Sequence, residues 1–277
     1  MAMLTVFACA NASERSTSKI AIIIDDIGAK AADKYAFELP RSVTFSILPH
    51  TRYSTPFSFT AAQQNREVML HMPMESLNGE ALGEGPLLSS MYPQELENAL
   101  HAALSTVPHA VGVNNHMGSK LTQMTLPMQT VMRSLTQSNM FFIDSRTTKF
   151  TKAGSIAKEF GLSSATRHVF LDHERNTAFI DKQFEKLIKR ARRNGKAIGI
   201  AHPHKVSVTY LKEALAKLPD DIEVVTISEY LRETDKFRIN PMLVQSNHAI
   251  DNDKPNQTTV STALAISNAE PQSSAPK

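Results

Sequence analysis

The stretch Lys19-Ile20-Ala21-Ile22-Ile23-Ile24-Asp25-Asp26 (KIAIIIDD) decides the fold. Five apolar residues in unbroken succession, not alternating with polar ones, describe a strand covered on both faces. That is the signature of a parallel sheet under helices. Two carboxylates then stand where the strand ends. The same arrangement recurs five times: Glu67–Leu70 runs into His71, and Ala110–Val113 into Asn114-Asn115-His116. Met140–Ile143 runs into Asp144, His168–Leu171 into Asp172-His173, and Ala197–Ala201 into His202-Pro203-His204. Side chains at the C-terminal ends of parallel strands converge on one face of an α/β barrel, where such folds build their active sites.

Working outward, Val43–Leu48 and Ile222–Ile227 add two strand-like runs, giving about eight. Helical spacing lies between them over 29–39, 57–65, 94–107, 126–138, 155–160, 176–193 and 207–218. Pro56 and Pro93 suit first helical turns, and Asn194-Gly195 suits a helix end. The expected architecture is a single distorted (β/α)7-8 barrel, with an open doubly wound sheet as the alternative. The cations Lys186, Lys189, Arg190, Arg192, Arg193 and Lys196 read as the solvated side of an amphipathic helix.

The chain has 277 residues, 42% of them hydrophobic, enough for one sizeable core. A net charge of +3 is too weak to argue for nucleic acid, and no zinc-finger spacing or aromatic-basic stripe appears. No run approaches the 18 apolar residues of a membrane-spanning helix, so an integral membrane protein is not expected. Met3–Ala10 is a short apolar stretch, and Ala10-Asn11-Ala12 fits a small-x-small cleavage site, though no Lys or Arg precedes it. Residues 1–17 therefore read as a signal peptide or its remnant, with a periplasmic or secreted location. Cys9, the one cysteine, falls inside that segment, which leaves no disulfide framework. Residues 18–236 are the expected barrel. Residues 237–277 read as a disordered polar tail, a tether or docking segment for an envelope protein partner.

Asp25 and Asp26 repel one another, so the pair needs a cation or a division of roles. Neighbouring side chains on an extended strand point to opposite faces, so irregular backbone is expected there. His71 is a candidate ligand, and Glu75 a weaker one because Pro73 breaks any helix that would align the two. His116 offers an imidazole, Asn115 a donor, and Gly118 a close backbone approach. His202 reads as the inward member of the His202-Pro203-His204 pair. His50, His101 and His109 read as structural.

The strings IIIDDIG (22–28), EVMLHMPME (67–75), VGVNNHMGSK (111–120), FFIDS (141–145) and IGIAHPH (198–204) together resemble the divergent polysaccharide deacetylase family, relatives of the NodB-like carbohydrate esterases. The resemblance spans nearly all of 18–236. It implies a divalent metal, usually Zn2+, and a polysaccharide or peptidoglycan-like glycan as substrate. By position it implies Asp25 as catalytic base, Asp26 and His71 as metal ligands, and His202 as general acid. Glu75 stands where the family's second ligand histidine would be, so His116 is favoured as third ligand. Asn115, Asp144, Asp172 and His204 are expected to bind substrate or to orient the histidines. Two departures matter: the Arg of the family's third motif is missing, and a chain without Trp cannot supply the one of the fourth. Two alternatives follow, a catalytically weak or inactive metal-binding barrel serving as an envelope glycan-binding or scaffold protein, and a metal-dependent hydrolase of another barrel class.

Overall fold

The computed structural model describes residues 17–232. Residues 1–16 and 233–277 lie outside the described residues, and with them nearly all of the expected leader (1–17), the whole expected tail (237–277) and the last four residues of the expected barrel. Nine strands form one sheet: β1 (Ser18–Ile27), β2 (Thr44–Ile47), β3 (Val68–Met74), β4 (Ala110–Met117), β5 (Phe141–Asp144), β6 (Ser164–Thr166), β7 (Val169–Phe170), β8 (Lys196–Ala201) and β9 (Ile222–Val224). Their order is β6-β5-β4-β3-β2-β1-β8-β7, with β9 paired to the start of β1, and every pairing is parallel. The sheet curls into a barrel left open between β6 and β7, so the (β/α) architecture holds in its distorted form.

Six α-helices connect the strands, α1 (Ser54–Gln63), α2 (Pro93–Thr106), α3 (Thr125–Gln137), α4 (Ala153–Glu159), α5 (Thr177–Asn194) and α6 (Lys205–Leu215), and α7 (Ile227–Arg232) follows β9. The expected helix over 29–39 is a 3-10 helix, Ala31–Glu38, closed by the Asp33 carboxylate on the Gly28 and Lys30 N–H groups. Pro93 opens α2 as expected, and Gly195 ends α5 with φ 80°. Cations on α5 lie opposite its buried stripe of Ile180, Phe184, Leu187, Ile188 and Ala191.

Strand parity sorts the core. Ile20, Ile22 and Ile24 join one large cluster with the helices. Ala21 and Ile23 belong to a second, smaller cluster with Met69, Phe141, Ile143, Ile198 and Ile200 on the sheet's other face. Ile227, Tyr230 and Leu231 of α7 pack into that inner cluster. The sequence reading continued a strand to Ile227, but the strand stops at Val224 and Ile227 begins α7. Glu67 is the physical reason. Its half-buried carboxylate accepts the backbone N–H of Ile227 (2.8 Å) and Ser228 (3.0 Å) together with the Thr44 hydroxyl, capping the helix against the sheet.

Pro73 sits inside β3, not at its end. Its carbonyl accepts the Leu87 N–H (2.9 Å), so its absent donor lies on the edge facing away from β4 and costs no ladder bond. The strand therefore continues past His71 to Met74.

β7 is pinned to β8 twice, by the His168 N–H on the Ile198 carbonyl and by the Ile198 N–H on His168 Nδ1 (2.9 Å). The second bond needs a neutral imidazole. Burial first, then the nearby Arg190, Arg146 and Arg167 charges, lower the His168 pKa to about 4. The unfolded chain has an ordinary value of about 6.5 and takes up a proton earlier as pH falls. Stability is thus complete above about 6.5 and declines as pH falls toward about 4. His168→Asn keeps an acceptor that does not titrate. Urea unfolding at pH 7, 5.5 and 4.5 is expected to show a shallower loss of stability in this variant than in wild type; equal slopes would exclude His168 as the source.

Candidate functional site

Parity also places the catalytic candidates. With Ala21 and Ile23 facing inward, Asp25 follows on the same face. Asp26 would face outward but for its backbone. Between β1 and β2 the register passes from Ile24↔Phe45 to Ile27↔Ile47, one extra residue in β1, and Asp26 adopts φ 59°. The expected irregularity is therefore a bulge that turns both carboxylates to one side.

His71 and His116 reach Asp26 from the neighbouring strands. Asp26 Oδ1 lies 3.2 Å from His71 Nε2 and 3.0 Å from His116 Nδ1, and the two nitrogens are 3.1 Å apart. Three ligands held about 2.0–2.1 Å from a tetrahedral cation stand about 3.3 Å from one another. The triangle matches that spacing. Asp26 Oδ1 is also buried and, among the described residues, receives no directed hydrogen bond. A buried carboxylate oxygen without a hydrogen bond, facing two imidazole nitrogens, fits a divalent cation. Burial works to raise the Asp26 pKa, yet His116 and His71 hold it far below the usual carboxylate range. Burial likewise opposes charge on His71, but Asp25 and Asp26 lift it to about 9. This corner is built around a separation of charge.

Asp25 is 3% exposed, and its Oδ1 accepts from Asn114 Nδ2 at 2.7 Å. Burial, the largest influence, raises its pKa against the pull of His71, His202 and Asn114. His202 approaches from β8, with Nε2 3.8 Å from Asp26 Oδ2. Its Nδ1 lies 2.9 Å from Asp172 Oδ1, while Asp172 Oδ2 accepts the His202 N–H and the Ser207 hydroxyl. Burial opposes protonation of His202, but the Asp172 hydrogen bond and charge raise its pKa overall. Asp172, His202 and His204 also lie close enough to share an ion. With both Asp172 oxygens already accepting hydrogen bonds, this group is better described as an Asp–His dyad on which His204 stacks (5.8 Å, 26°).

Other candidates serve their surroundings. Glu75 pairs with Lys120 Nζ (2.6 Å) and accepts the Ser89 N–H, outside the triangle. Asn115 faces outward; its amide donates to the Met117 carbonyl (2.7 Å) and accepts the Ser145 N–H. Asp144 accepts the Arg146 N–H and the Thr151 hydroxyl, and orients no histidine. Of the histidines read as structural, His101 meets the Ser134 hydroxyl and His109 packs edge-on against Phe59. His50 lines a cavity of about 330 Å³ with Leu48, Pro49, Pro73, Leu82 and His116. Asn114 and Ser46 escaped the sequence reading, yet Asn114 shares the inward parity of Gly112 and His116.

Residues 22–231 match the family model described as divergent polysaccharide deacetylase. The Escherichia coli "Uncharacterized protein YibQ" is 38% identical over 216 residues, 78% of this chain and 68% of that one. An uncharacterized Haemophilus influenzae protein is 35% identical over 228 residues, 82% of this chain and 81% of that one. The crystal structure of an uncharacterized Agrobacterium tumefaciens protein superposes with a TM-score of 0.73 at 25% identity, covering 77% of this chain and 89% of its own.

Calorimetric titration of the metal-free protein with Zn2+ is expected to give one tight equivalent. Asp26→Ala and His116→Ala should each weaken it at least about 100-fold, because each removes one corner of the triangle. Glu75→Gln should leave it unchanged; loss of binding in Glu75→Gln with retention in His116→Ala would reassign the third ligand.

Proposed function

The chain belongs to the divergent polysaccharide deacetylase family, and on that premise we propose that it hydrolyses acetyl groups from a glycan. The cation is held by Asp26, His71 and His116, with Zn2+ the first choice for a set of two imidazoles and one carboxylate. An envelope glycan is the preferred substrate, on the strength of the leader-like Met3–Ala12 stretch. The observation that carries the reading is the pairing of two proton-handling groups across one ligand triangle. Asp25, a carboxylate held by a single amide donor, stands on one side, and His202, an imidazole backed by Asp172, on the other.

A bound divalent cation would supply a water of lowered pKa and a positive charge opposite the acetyl oxygen. Asp25 is placed to take a proton from the attacking water as the water oxygen bonds to the acetyl carbon. The Asp172 carboxylate favours the imidazolium form of His202 and holds Nε2 toward the site. His202 gives its proton to the departing nitrogen, or oxygen for an O-acetyl group, as the C–N or C–O bond breaks. Acetic acid and a free amine or alcohol result, the acid then losing its proton to the amine or to solvent, and the proton taken by Asp25 balances the one given by His202. The cavity beside His116 offers room for the sugar that carries the acetyl group.

Acetate release from chitooligosaccharides and peptidoglycan, with and without added Zn2+, tests the reading. Asp25→Asn and His202→Asn should each lower turnover by about 10²- to 10⁴-fold, the usual worth of a positioned acid or base. Asp25→Asn should keep its metal. Zinc-loaded protein that releases no acetate from either substrate, yet binds glycan, would favour the scaffold alternative.

A further inference from the structure

We propose that Asn114 is a positioning residue whose single amide sets the tautomer of His71 and the orientation of Asp25. It is fully buried, on the strand between those carrying His71 and Asp144. Its Oδ1 faces the Ser46 hydroxyl at 2.5 Å and His71 Nδ1 at 2.7 Å. Its Nδ2 donates to Asp25 Oδ1 at 2.7 Å. One amide thus joins four adjacent strands, β1 through Asp25, β2 through Ser46, β3 through His71 and its own β4.

The direction of that amide follows from its partners. An ionised carboxylate only accepts, so the side facing Asp25 must be the NH2 group. The carbonyl oxygen then faces Ser46 and His71, and it too only accepts. His71 must carry its proton on Nδ1. A cation that replaces the remaining proton then meets the lone pair of Nε2, the atom 3.2 Å from Asp26 Oδ1 and 3.1 Å from His116 Nδ1. The other tautomer would aim an N–H at the cation position and an unprotonated nitrogen at a carbonyl oxygen. Ser46 supports the same setting by occupying the second lone pair of that oxygen.

On the Asp25 side, the donated hydrogen bond occupies Oδ1 and leaves Oδ2 as the oxygen that takes the proton. This half of the inference rests on the deacetylase reading; the His71 half rests on metal binding alone. The chain lacks the Arg of the family's third motif, and Asn114 supplies Asp25 with a neutral donor from within the sheet.

Three variants separate the two halves, each read by Co2+ titration of the metal-free protein, by the Co2+ absorption spectrum and by acetate release. Asn114→Leu removes the acceptor, and Co2+ affinity should fall about 10- to 100-fold with an altered spectrum, as for other partners of ligand histidines. Asn114→Asp keeps an acceptor for His71 but turns an oxygen toward Asp25. Co2+ affinity should be retained or tightened while turnover falls at least about 100-fold. Ser46→Ala leaves the amide in place and should weaken Co2+ only a fewfold. Wild-type affinity and spectrum in Asn114→Leu would overturn the His71 half, and wild-type turnover in Asn114→Asp would overturn the Asp25 half. Should Asn114→Leu fail to fold, loss of the cobalt spectrum in the isosteric Asn114→Asp would itself overturn the His71 half. A wild-type protein that binds Co2+ but releases no acetate would refute the deacetylase reading, and the cobalt data alone would then decide the role of Asn114.

Discussion

The left-handed turn at Asp26 is the constraint on which the site depends. A regular strand would send Asp25 and Asp26 to opposite faces. One inserted residue and φ 59° put both on the inner side, about 1 kcal/mol of backbone strain that aspartate tolerates better than most residues. Two carboxylates brought together in a buried corner repel, and the fold answers with imidazole and amide partners. His71 and His116 converge on Asp26, while Asn114 donates to Asp25. The arrangement is coherent with a cation at the triangle and strained without one, because the buried Asp26 Oδ1 gains no hydrogen bond from its neighbours.

Similar turns close the next strands along the site. Met117 (φ 53°) follows His116, and Arg146 (φ 51°) follows Asp144 and Ser145. A methionine gains nothing locally from that conformation, so its carbonyl is held by the Asn115 amide and the Thr147 hydroxyl. Asp144 likewise captures the N–H of Arg146. Asn115 and Asp144 therefore act on the loops that shape the mouth. Asp172 acts directly on His202. Beneath them, Glu67 fastens α7 so that Ile227, Tyr230 and Leu231 fill the inner face and give the polar layer a rigid apolar floor.

Much of this was legible in the chain because buried parallel strands write themselves as unbroken apolar runs. All of the expected strands are present, and the irregular backbone at Asp25-Asp26 follows from charge and parity alone. β6 was not legible: Ser164-Ala165-Thr166 is short, polar and half-buried, and it is a strand only because β5 lies beside it. The end of β9 depends on Glu67, some 160 residues away. The pairing of Glu75 with Lys120 is equally non-local. Asn114 was within reach: counting back by two from an inward His116 selects it over Asn115, and only the alternation of strand faces makes that distinction.

The family assignment supplies the deacetylase context, and the geometry adds its own chemical argument for a cation flanked by a base and an acid. X-ray absorption at the zinc edge of the zinc-loaded protein tests this most directly. The account predicts a single shell of nitrogen and oxygen at about 2.0–2.1 Å with the outer-shell scattering of two imidazoles, one of which disappears in His71→Ala. A shell of oxygen alone, or a spectrum unchanged in that variant, would contradict it.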